Sequence, residues 1–166
     1  MTASEPRSPQ RIVFILPCCI GDVVLATATL AAIRRGYPEA AITWAISSWA
    51  RPVIESHPLI TGVLDTGPQA LPTGSPLEIV RFARVLRRGR FDLAVSLVRS
   101  PAMSAAVALS GIPLRAGLDS GGRGIGYNVR ASINPNEARH EADIYLDVAR
   151  ALGLDVGGVA PNIPVH

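Results

Sequence analysis

Lysine is absent from this chain of 166 residues, and all sixteen of its basic side chains are arginines. The absence excludes a phosphate-binding loop of the Walker type, because that loop needs a lysine to reach the terminal phosphates of a nucleotide. Codon bias in a GC-rich genome would produce the same composition. An arginine-only repertoire also suits the recognition of carboxylates or phosphates, because a guanidinium group binds these anions through two parallel hydrogen bonds.

Cysteine is nearly absent as well, and the only two, Cys18 and Cys19, are adjacent. Adjacent cysteines offer neither a disulfide framework nor the spacing of metal ligands, so we expect no metal site and a reducing compartment. Residues 1–10 contain no apolar signal core, and no apolar run reaches the length of a membrane span. These absences predict a cytoplasmic protein, and they leave open a peripheral location at the inner face of the cell membrane.

Charged residues are also few, at 17% of the chain, whereas 48% of the residues are hydrophobic. This balance argues against disorder, and the length suffices for one domain with a real core. Because aromatic residues make up only 5%, that core must be aliphatic. The net charge of +3 is too small and too evenly spread to indicate a nucleic-acid partner.

Short apolar runs alternate with longer helical patterns along the chain. Strands are predicted at 11–16, 41–46, 62–65, 91–97 and 114–118, and helices at 22–36, 49–57, 77–88, 102–109 and 137–152. Such alternation predicts an α/β fold with a Rossmann-like, doubly wound and mostly parallel sheet. We expect a disordered tail at 1–10, one domain at 11–155 and a linker at 156–166.

Binding sites in such sheets form beyond the carboxyl ends of the strands, which directs attention to the loop Pro17–Asp22 after the first strand. A dinucleotide fingerprint needs three spaced glycines in this turn, but only Gly21 is present. Cys19 could be a nucleophile only with a nearby base, and nothing in the sequence places one there. Asp22 could cap the helix, or it could be a general base held at the edge of the sheet.

The segment from this loop into the second strand resembles the opening of family 9 glycosyltransferases, the ADP-heptose:lipopolysaccharide heptosyltransferases. The similar features are Ile20-Gly21-Asp22, the basic helix end Arg34–Pro38 and the strand Ala41–Ile46. Further similar segments follow in the same order, at 57–65, 86–95, 111–117 and 140–153. The order and spacing carry the resemblance, which covers about residues 11–160.

The resemblance implies the N-terminal half of a GT-B glycosyltransferase, an enzyme that transfers an activated sugar with inversion and without a metal or other cofactor. The implied acceptor is a sugar or glycolipid, as in lipopolysaccharide biosynthesis, and Asp22 is the implied catalytic base. The nucleotide-sugar donor would be held mainly by a C-terminal domain that is absent from this chain. The chain alone is therefore expected to be inactive without a complementing domain.

Several loop residues are expected to bind the acceptor or the diphosphate of the donor. They are Cys18, Cys19, Gly21, Arg99, Arg115 and Arg123. The three arginines could equally be ordinary solvated side chains. Arg81, Arg84, Arg87 and Arg88 share one amphipathic helix, which predicts either a solvated face or a membrane-docking patch. The alternative function is a catalytically silent α/β domain that binds a ligand or a partner chain.

Overall fold

Six parallel strands form the centre of the computed structural model, which describes residues 7–68, 72 and 74–164. The strands are β1 (Arg11–Ile15), β2 (Ala41–Ile46), β3 (Gly62–Asp65), β4 (Leu93–Ser96), β5 (Leu114–Ser120) and β6 (Val129–Ile133). Their order in the sheet is β3-β2-β1-β4-β5-β6. The predicted Rossmann-like α/β fold is confirmed, and every strand pair in the described sheet is parallel.

Helices cover both faces of this sheet, as an all-parallel sheet requires. They are α1 (Ile20–Gly36), α2 (Pro76–Arg88), α3 (Pro101–Leu109) and α4 (Glu141–Ala151). Helix α1 packs against α4, and α2 packs against α3. From β1 the chain moves toward β3, and from β3 onward it moves in the opposite direction across the sheet. Because crossovers between parallel strands are right-handed, the α1–α4 pair and the α2–α3 pair lie on opposite faces. None of the described helices is both long and apolar enough to cross a membrane.

The central strands are buried because both of their faces meet helices. Residues Ile12–Ile15 of β1 are completely buried, and the Phe14 ring packs against Trp44 of β2 with the ring centres 4.6 Å apart. Each fully buried aliphatic or aromatic side chain of this kind contributes about 1.5–3 kcal/mol through its removal from water. The predicted aliphatic core is thus supplemented by one aromatic pair at its centre.

Most predicted elements are present, and their ends differ by a few residues. The bounds of β2 and β3 are as predicted, whereas the predicted helix at 49–57 is reduced to a 3-10 turn at Arg51–Val53. The hydrogen bonds from Val53 to Ala50 and from Ile54 to Arg51 close three-residue turns there, and the α-type bond from Glu55 to Arg51 does not extend into a longer helix. Helix α4 begins at Glu141 and not at 137, because the ring of His140 accepts a hydrogen bond from the amide of Ala142 and caps it.

Strand β6 was not predicted, and the segment before it is not the flexible loop that its glycines suggested. Residues 121–128 return along β5 to the start of β6 and replace the helix that usually makes a parallel crossover. Tyr127 in this segment is buried, and its hydroxyl donates a hydrogen bond to Ser96 Oγ at 2.8 Å. A Cβ on Gly126 would lie 2.1 Å from the carbonyl oxygen of Ser104 in α3. Gly124 and Gly126 therefore let the chain pass close to β5 and α3, whereas Gly121 and Gly122 have open space around them.

The two chain ends have no helix or strand in their described parts. In the predicted tail 1–10, residues 1–6 lie outside the described residues, and the amide of Gln10 donates a hydrogen bond to Asp92. In the predicted linker 156–166, residues 165 and 166 lie outside the described residues. The rest packs along α1, where Asn162 donates to Thr27 Oγ1 at 2.8 Å and Arg35 donates to the carbonyl of Gly157. The predicted domain limits stay predictions.

A Gly117→Ala substitution is expected to destabilise the fold. A Cβ at this position of β5 would lie 2.4 Å from the Tyr127 ring, which is held by its hydrogen bond to Ser96. Overpacking of this kind costs about 1–3 kcal/mol. Urea unfolding measures the loss, and Gly62→Ala in β3 is the control because its Cβ would meet only Thr43 Oγ1 at 3.9 Å. Equal stability of the two variants would contradict the packing argument.

Candidate functional site

The candidate site lies at the carboxyl edge of the sheet, where β1 and β4 are neighbours. The chain leaves β1 toward β2 on one side, and it leaves β4 toward β5 on the other. Ile15 pairs with Ser96, and the amide of Leu97 donates to the carbonyl of Ile15 at 3.1 Å. The loops that follow the two strands therefore lie side by side at a crevice, the usual place for a ligand in such a sheet.

The loop after β1 is held by hydrogen bonds from the neighbouring strand. Trp44 Nε1 donates to the carbonyl of Leu16 at 3.1 Å, and the amide of Ser47 donates to the carbonyl of Pro17 at 2.9 Å. Leu16 and Pro17 are buried, whereas Cys18 is half-buried and Cys19 is exposed. The φ angle of Cys19 is +72°, a left-handed conformation that a non-glycine residue adopts only when its surroundings impose it.

Cys18 and Cys19 are joined by a disulfide bond in the structure, and no free cysteine is described. From the sequence we expected no disulfide framework and a reducing compartment, because adjacent cysteines cannot join distant parts of a chain. The bond closes only a small local ring, so the fold still has no disulfide framework. Both residues line the cavity in front of Asp22, which is where the acceptor-loop prediction placed them.

Asp22 is the third residue of α1, and its carboxylate is half-buried at the mouth of the crevice. Helix α1 has no side-chain cap, and within the described chain the Asp22 carboxylate makes no hydrogen bond or ion pair. The capping role considered from the sequence is therefore not what Asp22 does here. Its position in the first turn suits a negative charge, because the helix dipole is positive at that end. The oxygens are free to accept a proton or a hydrogen bond from a ligand.

A cavity of about 190 Å³ opens in front of Asp22, and Arg99, Glu141 and Tyr145 line its other side. We call it the Asp22 cavity. Arg99 follows β4, and its Nη2 atom lies 2.6 Å from Glu141 Oε1. The Nε atom of Arg99 is buried and has no partner among the described residues. A buried donor without a partner costs free energy, so this guanidinium is a natural contact for an acceptor oxygen of a ligand.

Tyr145 lines the Asp22 cavity together with the two carboxylates, Asp22 and Glu141. Burial of its ring, together with the negative charges of Asp22 and Glu141, raises the pKa of Tyr145 well above its usual value. The hydroxyl therefore stays protonated at all ordinary pH values. A hydrogen bond to Glu141 also favours the neutral phenol, so the hydroxyl proton is directed at that carboxylate and the phenol oxygen can accept a hydrogen bond in the cavity.

A second cavity of about 340 Å³ adjoins the first and shares Arg99 and Glu141 with it. The exposed Arg123 and Asn134 also line it. Arg123 makes no side-chain hydrogen bond or ion pair with any residue that the structure describes. The edge of the sheet thus brings two guanidinium groups, Arg99 and Arg123, to one continuous recess beside Asp22.

Two of the predicted site residues, Arg115 and Gly21, do not line either cavity. Arg115 is near the amino end of β5, where its side chain donates to the carbonyls of Gly126 and Ile112. It stabilises the crossover 121–128 and does not reach the recess, so the structure does not support its assignment to ligand binding. Gly21 does not line either cavity, and a Cβ there would meet nothing within 4 Å.

Glu141 and Tyr145 are the site residues that the sequence did not reveal. They are four residues apart at the start of α4, so their side chains lie on one face of the helix. A helix that follows a parallel strand must begin at the carboxyl edge of the sheet. The four-residue spacing of Glu141 and Tyr145 at the start of α4 could therefore have pointed to them as site residues. Strand β6 was missed, however, and without it the segment 134–140 could not be recognised as a connection at this edge.

Alkaline titration tests the environment of Tyr145. Burial raises the pKa of Tyr37, and it raises the pKa of Tyr127 to about 12. The pKa of Tyr145 is raised by burial and by the neighbouring negative charges. An ordinary tyrosine has a pKa of about 10 and is therefore half ionised at that pH. The folded chain is expected to show little tyrosinate absorbance there. Since folding favours the neutral phenols, the stability that they contribute is present below pH 10 and is lost as the pH rises.

Two variants assign the steps of this titration. Tyr127→Phe should remove the step near pH 12, because that hydroxyl carries the pKa of about 12. Tyr145→Phe should leave the curve unchanged below that step. Circular dichroism at each pH confirms that the chain is still folded. Half-ionisation of all three tyrosines near pH 10 in the folded chain would contradict the described environment of Tyr145.

Several solved structures of glycosyltransferases share this fold. A glycosyl transferase of family 9 from Veillonella parvula superposes with a TM-score of 0.75 at 22% identity, over 95% of this chain and 45% of its own. Escherichia coli ADP-heptose LPS heptosyltransferase II has a TM-score of 0.74 at 20% identity, over 95% and 47%. E. coli heptosyltransferase WaaC with ADP-2-deoxy-2-fluoro heptose has a TM-score of 0.73 at 15% identity, over 92% and 51%.

The likeness to these proteins is one of fold, and it spans about half of their length. It matches the fold that the resemblance implied, that of the N-terminal half of a GT-B glycosyltransferase. No protein-family model and no curated protein matches the sequence. The similarity therefore shows a shared fold, and it does not by itself show that this chain has the activity of the complete enzymes.

Proposed function

We propose that this chain is the acceptor-binding half of a glycosyltransferase, which transfers a heptose-like sugar from a nucleotide-sugar to a hydroxyl group of a glycan or glycolipid. The observation that carries the proposal is the free carboxylate of Asp22 at the switch point between β1 and β4. The similarity in fold to heptosyltransferases supports it. The donor would be bound mainly by a second α/β domain, since this chain corresponds to about half of those enzymes.

The chemistry requires a base at the position that Asp22 occupies. The acceptor hydroxyl gives its proton to the Asp22 carboxylate while its oxygen attacks the anomeric carbon of the donor. The bond from that carbon to the nucleoside diphosphate breaks on the opposite face, so the configuration inverts. The diphosphate leaves with the bonding electrons. Its charge would be stabilised by fixed hydrogen-bond donors of the second domain without a metal ion.

The other groups of the recess would hold the acceptor in place. Arg99 keeps one buried N–H group unpaired, and Arg123 is free within the described chain, so both are suited to a carboxylate or phosphate on the acceptor. The hydroxyl oxygen of Tyr145, whose proton is directed at Glu141, can accept a hydrogen bond from a sugar hydroxyl. Glu141 fixes the guanidinium of Arg99 through its 2.6 Å contact. The edge is open, since Ile20 and Trp49 beside it are 45% and 50% exposed.

Asp22→Asn is expected to abolish sugar transfer and preserve the fold. The amide keeps the shape of the side chain but cannot accept the proton of the hydroxyl, so kcat should fall by about 10²–10⁴-fold. Transfer from ADP-heptose to oligosaccharide acceptors is measured on the chain together with the polypeptide that supplies the donor-binding domain. Glu39→Gln is the matched control, because Glu39 is an exposed carboxylate away from the recess.

Binding measurements separate the two halves of the proposal. By calorimetry, the acceptor should bind to this chain alone, whereas the nucleotide-sugar should bind only when the second domain is present. Full turnover in Asp22→Asn would remove Asp22 from the mechanism. Acceptor binding without turnover in any assembled form would instead favour the catalytically silent binding domain.

A further inference from the structure

The exposed face of helix α2 carries a cluster of arginines without partners, whereas most arginines elsewhere in the described chain have one. Elsewhere, Arg34, Arg115 and Arg130 donate to backbone carbonyls, and Arg51, Arg139 and Arg150 pair with carboxylates. Arg81, Arg84, Arg87 and Arg88 of α2 are exposed, and none of them has a side-chain partner among the described residues. Four guanidinium groups are thus presented to solvent from one helix.

The spacing of these residues concentrates their charge. Arg81, Arg84 and Arg88 are three and four residues apart, so they follow one another along the outer face of α2. Arg87 lies beside them, and Arg90 just after the helix is also exposed without a side-chain partner in the described chain. Glu78 is the one acidic residue of the helix. Like charges so close together repel each other, so the face is suited to an anionic surface that neutralises several at once.

Apolar side chains are interspersed among the arginines of this face. Leu77 is 57% exposed, and Val80 and Val85 are each 37% exposed. Leu109, at the end of the adjacent helix α3, is 58% exposed. The arginines, together with Leu77, Val80 and Val85, define what we call the α2 face. A purely solvated face would gain nothing from these apolar groups, whereas a lipid surface can accept them between its headgroups.

We propose that the α2 face docks on the surface of a membrane that contains anionic phospholipids. The guanidinium groups bind lipid phosphates, and Leu77 and the two valines enter the interface beside them. The long arginine stems suit this arrangement, because they let the charge stay in the headgroup layer while the carbons rest on apolar surface. The α2 face contains no aromatic side chain for stacking bases, which favours lipid over single-stranded nucleic acid.

The orientation of α2 gives this contact a consequence for the candidate site. Because α2 connects the carboxyl end of β3 to the amino end of β4, its first turn lies at the edge where the Asp22 cavity opens. Leu77 is on that turn, and Val80 follows at the start of the next turn. Docking along α2 would therefore hold the recess near the membrane surface. The docking itself depends only on the α2 face and is independent of sugar transfer.

Vesicle binding of the full chain tests the proposal without any donor or acceptor. The chain should co-sediment with vesicles of phosphatidylcholine mixed with phosphatidylglycerol, and not with phosphatidylcholine alone. Arg84→Gln combined with Arg88→Gln should lower the partition coefficient by about 5-fold for each arginine, or about 25-fold together. Arg7→Gln combined with Arg51→Gln removes the same charge outside the α2 face and should retain nearly all binding. Added salt should weaken binding of the unmodified chain.

Leu77→Ser tests the apolar part of the contact and separates lipid from other polyanions. It should weaken vesicle binding by a few-fold, since it removes one apolar side chain from the interface. Circular dichroism checks that each variant is folded, as expected for exposed positions. Equal binding by the two double variants would overturn the proposal. So would an affinity for a single-stranded oligonucleotide as high as that for the vesicles, with no effect of Leu77→Ser.

Discussion

The parallel pairing of β1 with β4 is the constraint on which the candidate site depends. These two strands lie side by side although α1, β2, β3 and α2 come between them in the chain. The chain then leaves them in opposite directions, so no crossover covers the edge between them. Leu16–Cys19 and Leu97–Arg99 meet in that gap. The carboxylate of Asp22 is accessible from solvent because this edge is left open.

The loop that carries Asp22 is positioned by the buried core. Trp44 packs on Phe14 and also donates to the carbonyl of Leu16, so one side chain joins the interior to the site. Ser47 secures the carbonyl of Pro17 in the same way. Hydrogen bonds to backbone atoms fix the loop without using the side chain of Asp22. A catalytic carboxylate needs this arrangement, because it must be held in place and still have free oxygens.

The far side of the recess depends on α4, whose placement follows from the crossover 121–128. That crossover is short because Gly117, Gly124 and Gly126 let it pass close to the sheet and to α3. It brings β6 into the sheet as a parallel strand, so α4 starts at the carboxyl edge and presents Glu141 and Tyr145. Arg139 joins Asp143 and Asp147 at the outside of α4 and supports its first turns. The absence of lysine is consistent with this use of arginine, whose planar group suits carbonyls and carboxylates alike.

By itself, the sequence determined the fold class, the strands β1 to β5, the helices α1 to α4 within a few residues and the place of Asp22. These follow from local patterns: apolar runs such as Arg11–Ile15, and a carboxylate just inside the helix after the first strand. Strand β6 escaped because only its central Ala131 is buried, and its crossover lacks a helix. The partners in the recess were decided by tertiary structure alone. The sequence named Arg99 but not its partners: Glu141 and Tyr145 join it through strand order, because contacts between distant segments leave no local pattern. For the same reason, the sequence did not reveal that Arg115 donates to backbone carbonyls instead.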